Sequence, residues 1–299
     1  MDIQALKVFQ VVAKMGSISG AARELNYAQS NITTKIQQLE TNLQATLFYR
    51  HNRGITLTPK GKLLVTYAEK IFQLIDETNR VMKDDQTPKG PLIIGSMETT
   101  AAVRLPVLLS KYSHDYPKVD LMLKTGPTDQ HLYEVLHHEV DGAFVSGPIS
   151  HPDIVQKTVF EEEMVLITDM NHPPLSSIAD IQNLTLLVFR SGCSYRAKLE
   201  NWLHQEGVAP SKIMEFGTLD AIIGCVAAGL GISMLPYSVV AKQIQDGTLR
   251  QHKISTSYRK VDTLFIYRKD KYLSTPLTKF LDLLNEETGL GKVPNLTLM

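Results

Sequence analysis

Apolar residues recur at three- and four-residue intervals through the first sixty or so positions. Leu6, Phe9, Val12 and Ala13 fall on one face of a helix. Gly16 stops that helix, and Ser17 or Ser19 caps the next. The second helix is short and closes at Leu25, and its small Ala21 and Ala22 let a neighbour approach closely. After the tight turn Leu25-Asn26-Tyr27-Ala28 the pattern restarts from Gln29 to Thr41. Ile32, Ile36, Leu39 and Leu43 stand 4, 3 and 4 apart, one narrow apolar stripe. At about 100° per residue, Ser30, Thr34, Gln37 and Thr41 lie opposite it. Gln29, Asn31, Thr33 and Lys35 lie on the flanks and at the helix start. From Arg50 to Thr58 the chain reads strand, turn, strand, with Gly54 in the turn and a basic tip of Arg50 and Arg53.

The connector follows. Thr58-Pro59 is a helix start, with Thr as N-cap and Pro in the first turn. No breaker appears before Thr87-Pro88-Lys89-Gly90-Pro91. Leu64, Tyr67, Ile71, Leu74, Thr78 and Val81 are spaced 3, 4, 3, 4 and 3, a heptad seam. A long helix with a wet apolar stripe calls for a partner, so the seam predicts a homodimer. Packing of the stripe on its own domain is the competing reading. The expected organisation is a head over residues 1–58, a linker helix over 59–87, a hinge over 88–91 and a body over 92–299.

In the body, buried strands are expected at Leu92–Ser96, Val119–Lys124, Gly142–Val145, Glu163–Thr168, Leu184–Phe189, Ile232–Leu235 and Thr263–Tyr267. Helices are expected at Thr99–Tyr112, Thr128–His138 and Thr275–Glu287. Strands alternating with helices predict a parallel sheet. The body divides near Glu161 and Asp262 into lobe I (92–161 and 263–299) and lobe II (162–262).

Charge sharpens the division of labour. Residues 1–90 hold 12 Lys/Arg against 8 Asp/Glu, and the remainder 19 against 23. A mildly basic head on a mildly acidic body suits contact with phosphate at one end. The short uncharged side chains opposite the apolar stripe suit base edges: Asn and Gln can pair bidentately with adenine, and Ser and Thr adapt to several edges. The first turn of such a helix enters the major groove. The candidate DNA contacts are therefore Gln29, Ser30, Asn31, Thr33, Thr34, Lys35, Gln37, Arg50 and Arg53, the cations holding phosphate. A merely solvated face is the bland alternative.

Ligands of open α/β sheets sit beyond the carboxyl ends of strands, near helix N-termini. Loops of that kind offer Ser96, Met97, Glu98, Thr99 and Thr100, then Thr128, then Ser191, Ser194 and Arg196, and then Thr218. Phe144 and Ser146 are further candidates for the lining. Hydroxyls and amides there would cradle a small, often anionic, metabolite; the alternative is that they only cap helices. Arg196 suits a carboxylate or a neighbouring Glu, and the direction of Glu98 matters because it opposes an anion. Cys193 is either redox-active or a bystander, with no resolving cysteine in sight.

With two cysteines only, neither a disulfide framework nor a zinc site is expected, and a reducing cytosol is the natural compartment. No segment reads as a signal peptide or membrane span, so the chain is expected to be cytoplasmic and to have no membrane partner. No HExxH, GxSxG, Walker or GxGxxG pattern appears, so no catalytic residue, metal or cofactor is expected. A solute-binding α/β protein, or an enzyme with an accessory helix-turn-helix, is the competing class.

The series Leu6, Phe9, Val12, Gly16-Ser17-Ile18-Ser19, Ala21-Ala22, Leu25, Gln29-Ser30, Ile32-Thr33, Ile36, Leu39-Glu40, Leu43, Leu47-Phe48, Arg50, Thr56-Leu57-Thr58 and Gly61 resembles the winged helix-turn-helix of LysR-type transcriptional regulators. Two positions depart from the common pattern. Ala28-Gln29-Ser30-Asn31 stands where Ser-Gln-Pro-Ala is usual, and Thr34 where Arg is frequent. The wording Tyr27-Ala28-Gln29-Ser30-Asn31-Ile32-Thr33 is similar to a Bacillus-like subgroup that includes the YofA and CzcR regulators. The resemblance implies α plus α/β architecture: winged helix-turn-helix, linker helix and a two-lobed effector domain like periplasmic binding proteins. It implies a small-molecule coinducer between the lobes and a promoter or operator in double-stranded DNA with two-fold related half-sites. It also implies a homodimer that pairs into a homotetramer, and contact with RNA polymerase. Effector binding would close the lobes and change the angle between the heads.

Overall fold

The computed structural model describes residues 2–51, 54–82, 87–175, 177–269 and 273–288. The chain forms two compact units, Met1–Lys83 and Asp84–Met299. Among the described residues, no helix is long and apolar enough to cross a membrane.

The first unit opens with α1 (Ile3–Met15), whose N-cap Asp2 accepts the Gln4 and Ala5 amides. Gly16 ends it in the left-handed conformation, φ 59°. Ser17 then caps α2 (Ile18–Glu24) by accepting the Gly20 amide. A turn with Asn26 at φ 53° leads into α3 (Gln29–Leu43). Phe9, Val12, Ala21 and Ile32 are fully buried, and Leu6, Ile36 and Leu39 nearly so. Each large side chain so buried contributes roughly 1.5–3 kcal/mol of transfer free energy. Leu43, expected on the same stripe, is 36% exposed, because the helix there has run past its neighbours' core.

Strand β1 (Phe48–His51) pairs antiparallel with β2 (Gly54–Leu57), Phe48 opposite Leu57 and His51 opposite Gly54. Glu40 of α3 anchors this hairpin by accepting the Leu47 amide at 2.7 Å and the Phe48 amide at 3.3 Å. Ile55 donates to the Gly16 carbonyl at 3.2 Å, and a Cβ on Gly54 would come within 2.9 Å of that same oxygen. Thr58 caps α4 (Pro59–Met82) by accepting the Gly61 amide at 2.9 Å.

In the second unit, lobe I holds β3 (Gly90–Ser96), α5 (Glu98–Val103), α6 (Leu105–Asp115), β4 (Val119–Thr125), α7 (Thr128–Leu136) and β5 (Gly142–Ser146). Strand β6 (Ile154–Asp169) then crosses into lobe II. Lobe II holds β7 (Thr185–Phe189), α8 (Ser194–Gln205), β8 (Lys212–Phe216), α9 (Leu219–Ala227), β9 (Ser233–Pro236), α10 (Tyr237–Gln245) and β10 (Leu249–His252). The chain returns through α11 (Thr256–Arg259) and β11 (Lys260–Arg268) to end in α12 (Thr275–Thr288).

The lobe I sheet runs β4-β3-β5-β11-β6. It is mixed rather than parallel: β3 is parallel to β4 and β5, but β11 is antiparallel to both β5 and β6. The returning strand enters from the far lobe and so runs against the strands laid down first. Helices α6 and α12 cover one face around Leu105, Tyr112, Phe144, Phe265 and Phe280. Val135, Val140 and Val145 form the core on the other face. In lobe II, β7 and β8 are parallel, a parallel bridge joins Leu186 to Ile232, and β6 pairs antiparallel with β9 and β10. β6 pairs with β11 as far as Glu163 and with β9 from Met164, so one strand serves both lobes.

Two further expectations need correction. The helix expected over Thr99–Tyr112 is two helices broken at Arg104, because Pro106 in the first turn of α6 has no amide to continue the ladder. Gly90 and Pro91, expected in the hinge, begin β3 and lie opposite Val119 and Asp120. The sequence pattern also left β8, β10 and the first half of β6 unexpected; β8 and β10 are four- or five-residue strands with little apolar alternation.

Candidate DNA-reading face and interlobe cavity

The first two turns of α3 bring together Gln29, Ser30, Asn31 and Thr34, all exposed, with Gln37 exposed one turn on. Burial of Ile32, Ile36 and Leu39 fixes the helix rotation that turns this row outward. Thr33 and Thr34, the first half-buried, donate their hydroxyl hydrogens to the Gln29 and Ser30 carbonyls at 3.0 Å. Their outward oxygens are left as acceptors, suited to the exocyclic amines of adenine and cytosine. Lys35 leans back towards Asp2 at 3.8 Å. Arg50 is exposed on β1, whereas Arg53 lies outside the described residues. Sequence reasoning passed over Tyr49, which is 51% exposed, and His51, whose Nε2 meets Thr56 Oγ1 at 3.1 Å. Strand alternation puts both on one side of the hairpin, a signal available in the sequence.

The apolar residues of α4 divide between two faces. Ala68 is buried, and Leu64, Val65, Ile71 and Phe72 pack on the core of the first unit. Tyr67 and Leu74 are 55% and 46% exposed, and Leu63 58%. Thr78 is exposed, and the Val81 side chain lies outside the described residues. Of the expected seam, Leu64 and Ile71 are half-buried against the head core, and the more open stripe runs through Leu63, Tyr67, Leu74 and Thr78. A helix laid on its own domain must spend one face there, which a heptad count alone does not register.

Within the second unit, a cavity of about 390 Å³ opens between the lobes. It lies at the carboxyl ends of β3, β4, β7 and β8, in the size range of small-molecule sites. Of the expected lining, Met97, Glu98, Thr99, Thr128, Ser191 and Ser194 line it. Thr128, Ser191 and Ser194 also line an adjoining groove with Ser146 and Arg196. Gln130, Phe189, Arg190, Cys193, Tyr195 and Phe216 line the cavity and had not been singled out as its ligand contacts.

Four expected contacts lie elsewhere. Ser96 is fully buried and donates to the Met97 carbonyl at 2.9 Å. Thr100 is 3% exposed and does not line the cavity. Phe144 is fully buried in the aromatic core of lobe I. Thr218 caps α9 by accepting the Ala221 amide. Arg196 is engaged by Glu200 at 2.8 Å and Glu215 at 2.7 Å, and these hydrogen-bonded carboxylates hold its pKa above the ordinary arginine value.

The walls are braced from behind. His131 is fully buried, with Nδ1 2.7 Å from Glu134 and Nε2 2.9 Å from the Ser96 carbonyl. That carbonyl also accepts the Gly126 amide at 3.1 Å, which ties the β3–α5 and β4–α7 loops together. Thr99 of lobe I donates to the Tyr195 hydroxyl of lobe II over a long 3.5 Å. Burial raises the Tyr195 phenol above its usual range. The Cys193 thiol, at the N-cap of α8, is likewise raised by burial, which opposes thiolate chemistry. No histidine lines the cavity, and no group of three metal-ligating side chains occurs among the described residues.

Comparison with known proteins agrees with this geometry. Residues 3–62 match the model for bacterial regulatory helix-turn-helix proteins of the lysR family, and residues 85–289 match the LysR substrate binding domain. The HTH-type transcriptional regulator GltR of Bacillus subtilis is 59% identical over 281 residues, covering 94% of this chain and 95% of the relative. CzcR of Bacillus thuringiensis is 46% identical over 286 residues, covering 96% and 98%. A crystal structure of full-length CbnR complexed with its target DNA aligns with a TM-score of 0.71 and 24% identity, over 96% of this chain and 99% of that one.

Proposed function

The chain belongs to the LysR family of transcriptional regulators, and from that premise we propose how its parts divide the work. Two copies pair through the open stripe of α4 and set two α3 faces on two-fold related half-sites of an operator. A small-molecule effector enters the interlobe cavity, and the lobes report its presence by a change in their relative angle. Pairing of the second units makes the assembly a homotetramer, and RNA polymerase is the further partner. The cytoplasm is the compartment in which such a regulator meets its operator. No catalytic role is assigned, because the cavity pairs no nucleophile with a histidine base, and no cofactor is called for beyond the coinducer.

The observation that carries this reading is the exposed row Gln29, Ser30, Asn31, Thr34 and Gln37, turned outward by the burial of Ile32, Ile36 and Leu39. Genomic footprinting with the full chain tests it. Protected sites should carry two related half-sites, and Ser30→Ala, Thr34→Ala or Gln37→Ala should weaken them while leaving oligomeric state unchanged. No preference for any genomic fragment over random competitor, with or without metabolites, would overturn it.

A further inference from the structure

The cavity contains one carboxylate and one guanidinium, contributed by different lobes. Glu98 comes from lobe I at the start of α5, and Arg190 from lobe II at the end of β7. Among the described residues neither makes an ion pair. One oxygen of Glu98 accepts the Leu219 amide at 3.1 Å, which leaves its charge without a cation. Arg190 lies beside Gly217, where a Cβ would come 3.3 Å from its Nη2. The other arginine of the region, Arg196, is consumed by Glu200 and Glu215. Asp129 lines the adjoining groove rather than this cavity. Met97, Phe189 and Phe216 add apolar surface to the same lining.

Two opposite charges that share a small cavity without pairing with each other select a ligand that carries both complements. A plain carboxylate would gain Arg190 and meet the field of Glu98; a plain amine would gain Glu98 and meet Arg190. Resting on the effector role assigned above to this cavity, we propose that the effector is a small zwitterion of the amino-acid class, with its carboxylate on Arg190 and its ammonium on Glu98. The N-termini of α7 and α8, whose N-cap residues Pro127 and Cys193 make no side-chain cap, also border the cavity and add amide donors. Because the charges belong to different lobes, such a ligand bridges them, and its two ends account for closure by one molecule.

The test uses the full chain in calorimetry and thermal shift. The probes are the standard amino acids, β-alanine and 4-aminobutyrate, each beside its deaminated acid and its decarboxylated amine. At least one zwitterion should bind about tenfold or more tighter than both of its counterparts. Glu98→Gln should remove that advantage by weakening the zwitterion and strengthening the matched acid. Arg190→Gln should weaken zwitterion and acid together. If an acid binds as well as its amino counterpart, ignores Glu98→Gln and responds to Arg190→Gln, the zwitterion proposal falls and the cavity's effector role stands. Binding unchanged by either substitution places the ligand elsewhere and overturns both. The absence of any zwitterion binder overturns the proposal. So does a shared, non-additive loss of ligand-free stability in the single and double variants, which would mean that the two charges serve each other.

Discussion

Arg104 and Glu162 form a two-pronged ion pair, Nε to Oε1 at 2.8 Å and Nη2 to Oε2 at 3.2 Å. Arg104 stands at the break between α5 and α6 in lobe I, and Glu162 on the strand that crosses to lobe II. Ser238 of α10 donates to the same carboxylate at 2.7 Å, so one buried side chain ties three segments together. The Glu162 side chain is 5% exposed and that of Arg104 20%. Removing either partner strands a charge away from water. Arg104→Met or Glu162→Gln should cost about 3–5 kcal/mol in urea unfolding. The double variant Arg104→Met/Glu162→Gln should cost less than the sum of the two; additive costs would argue against a coupled pair.

The two faces of α4 should respond differently to charge. Leu74→Glu, on the open stripe, should dissociate the dimer in analytical ultracentrifugation and leave the circular dichroism and melting of the first unit nearly unchanged. Ile71→Glu sets a charge against the head core and should lower the melting temperature of the first unit. If Ile71→Glu yields folded monomers while Leu74→Glu stays dimeric, the faces have been assigned in reverse.

His252 should make lobe II sensitive to acid. Its Nδ1 accepts the Leu175 amide at 3.3 Å, and its Nε2 meets Thr168 Oγ1 at 2.9 Å. Burial first, then the nearby His172 and Arg250, lower its pKa from the ordinary 6.5. The folded state therefore favours the neutral ring, and the unfolded chain binds the proton more readily. Stability is fully present above about pH 6.5 and is lost as the pH falls through the lower folded value. Thermal melts from about pH 7 to pH 5 should show this decline, and His252→Gln should flatten it. An equal slope in the variant would assign the effect to other groups.

Gly61 has no room for a side chain. A Cβ there would come 2.2 Å from the Leu47 carbonyl, a backbone atom that already accepts the Thr58 amide at 2.9 Å. Gly61→Ala should force the start of α4 away from the hairpin and cost roughly 1–3 kcal/mol or more. Specific DNA binding should weaken with it, as read by a footprint at a temperature where the variant is still folded. A melting temperature equal to that of the native chain would mean that the loop relaxes freely.

The head was largely legible from residue order, because its helices are amphipathic and its stops are local. Ile32, Ile36 and Leu39 fix which side of α3 is buried, and hence that Ser30, Thr34 and Gln37 face out. Gly16, Ser17 and Thr58 announce their caps within a few residues. The mixed sheet was not legible. Its antiparallel member, β11, lies over a hundred residues from β5, and no local pattern fixes strand direction across such a gap.

The interlobe cavity divides in the same way. Loop positions beyond strand ends named Met97, Glu98, Thr99, Thr128, Ser191 and Ser194, since those ends are visible as the last residues of apolar runs. Tertiary packing alone decided that Phe144 and Ser96 turn into the core, that Arg196 is spent on Glu200 and Glu215, and that Arg190 remains open. Periodicity reports which face of an element is apolar. Which long polar side chains find partners is set by residues brought close only when the chain has folded.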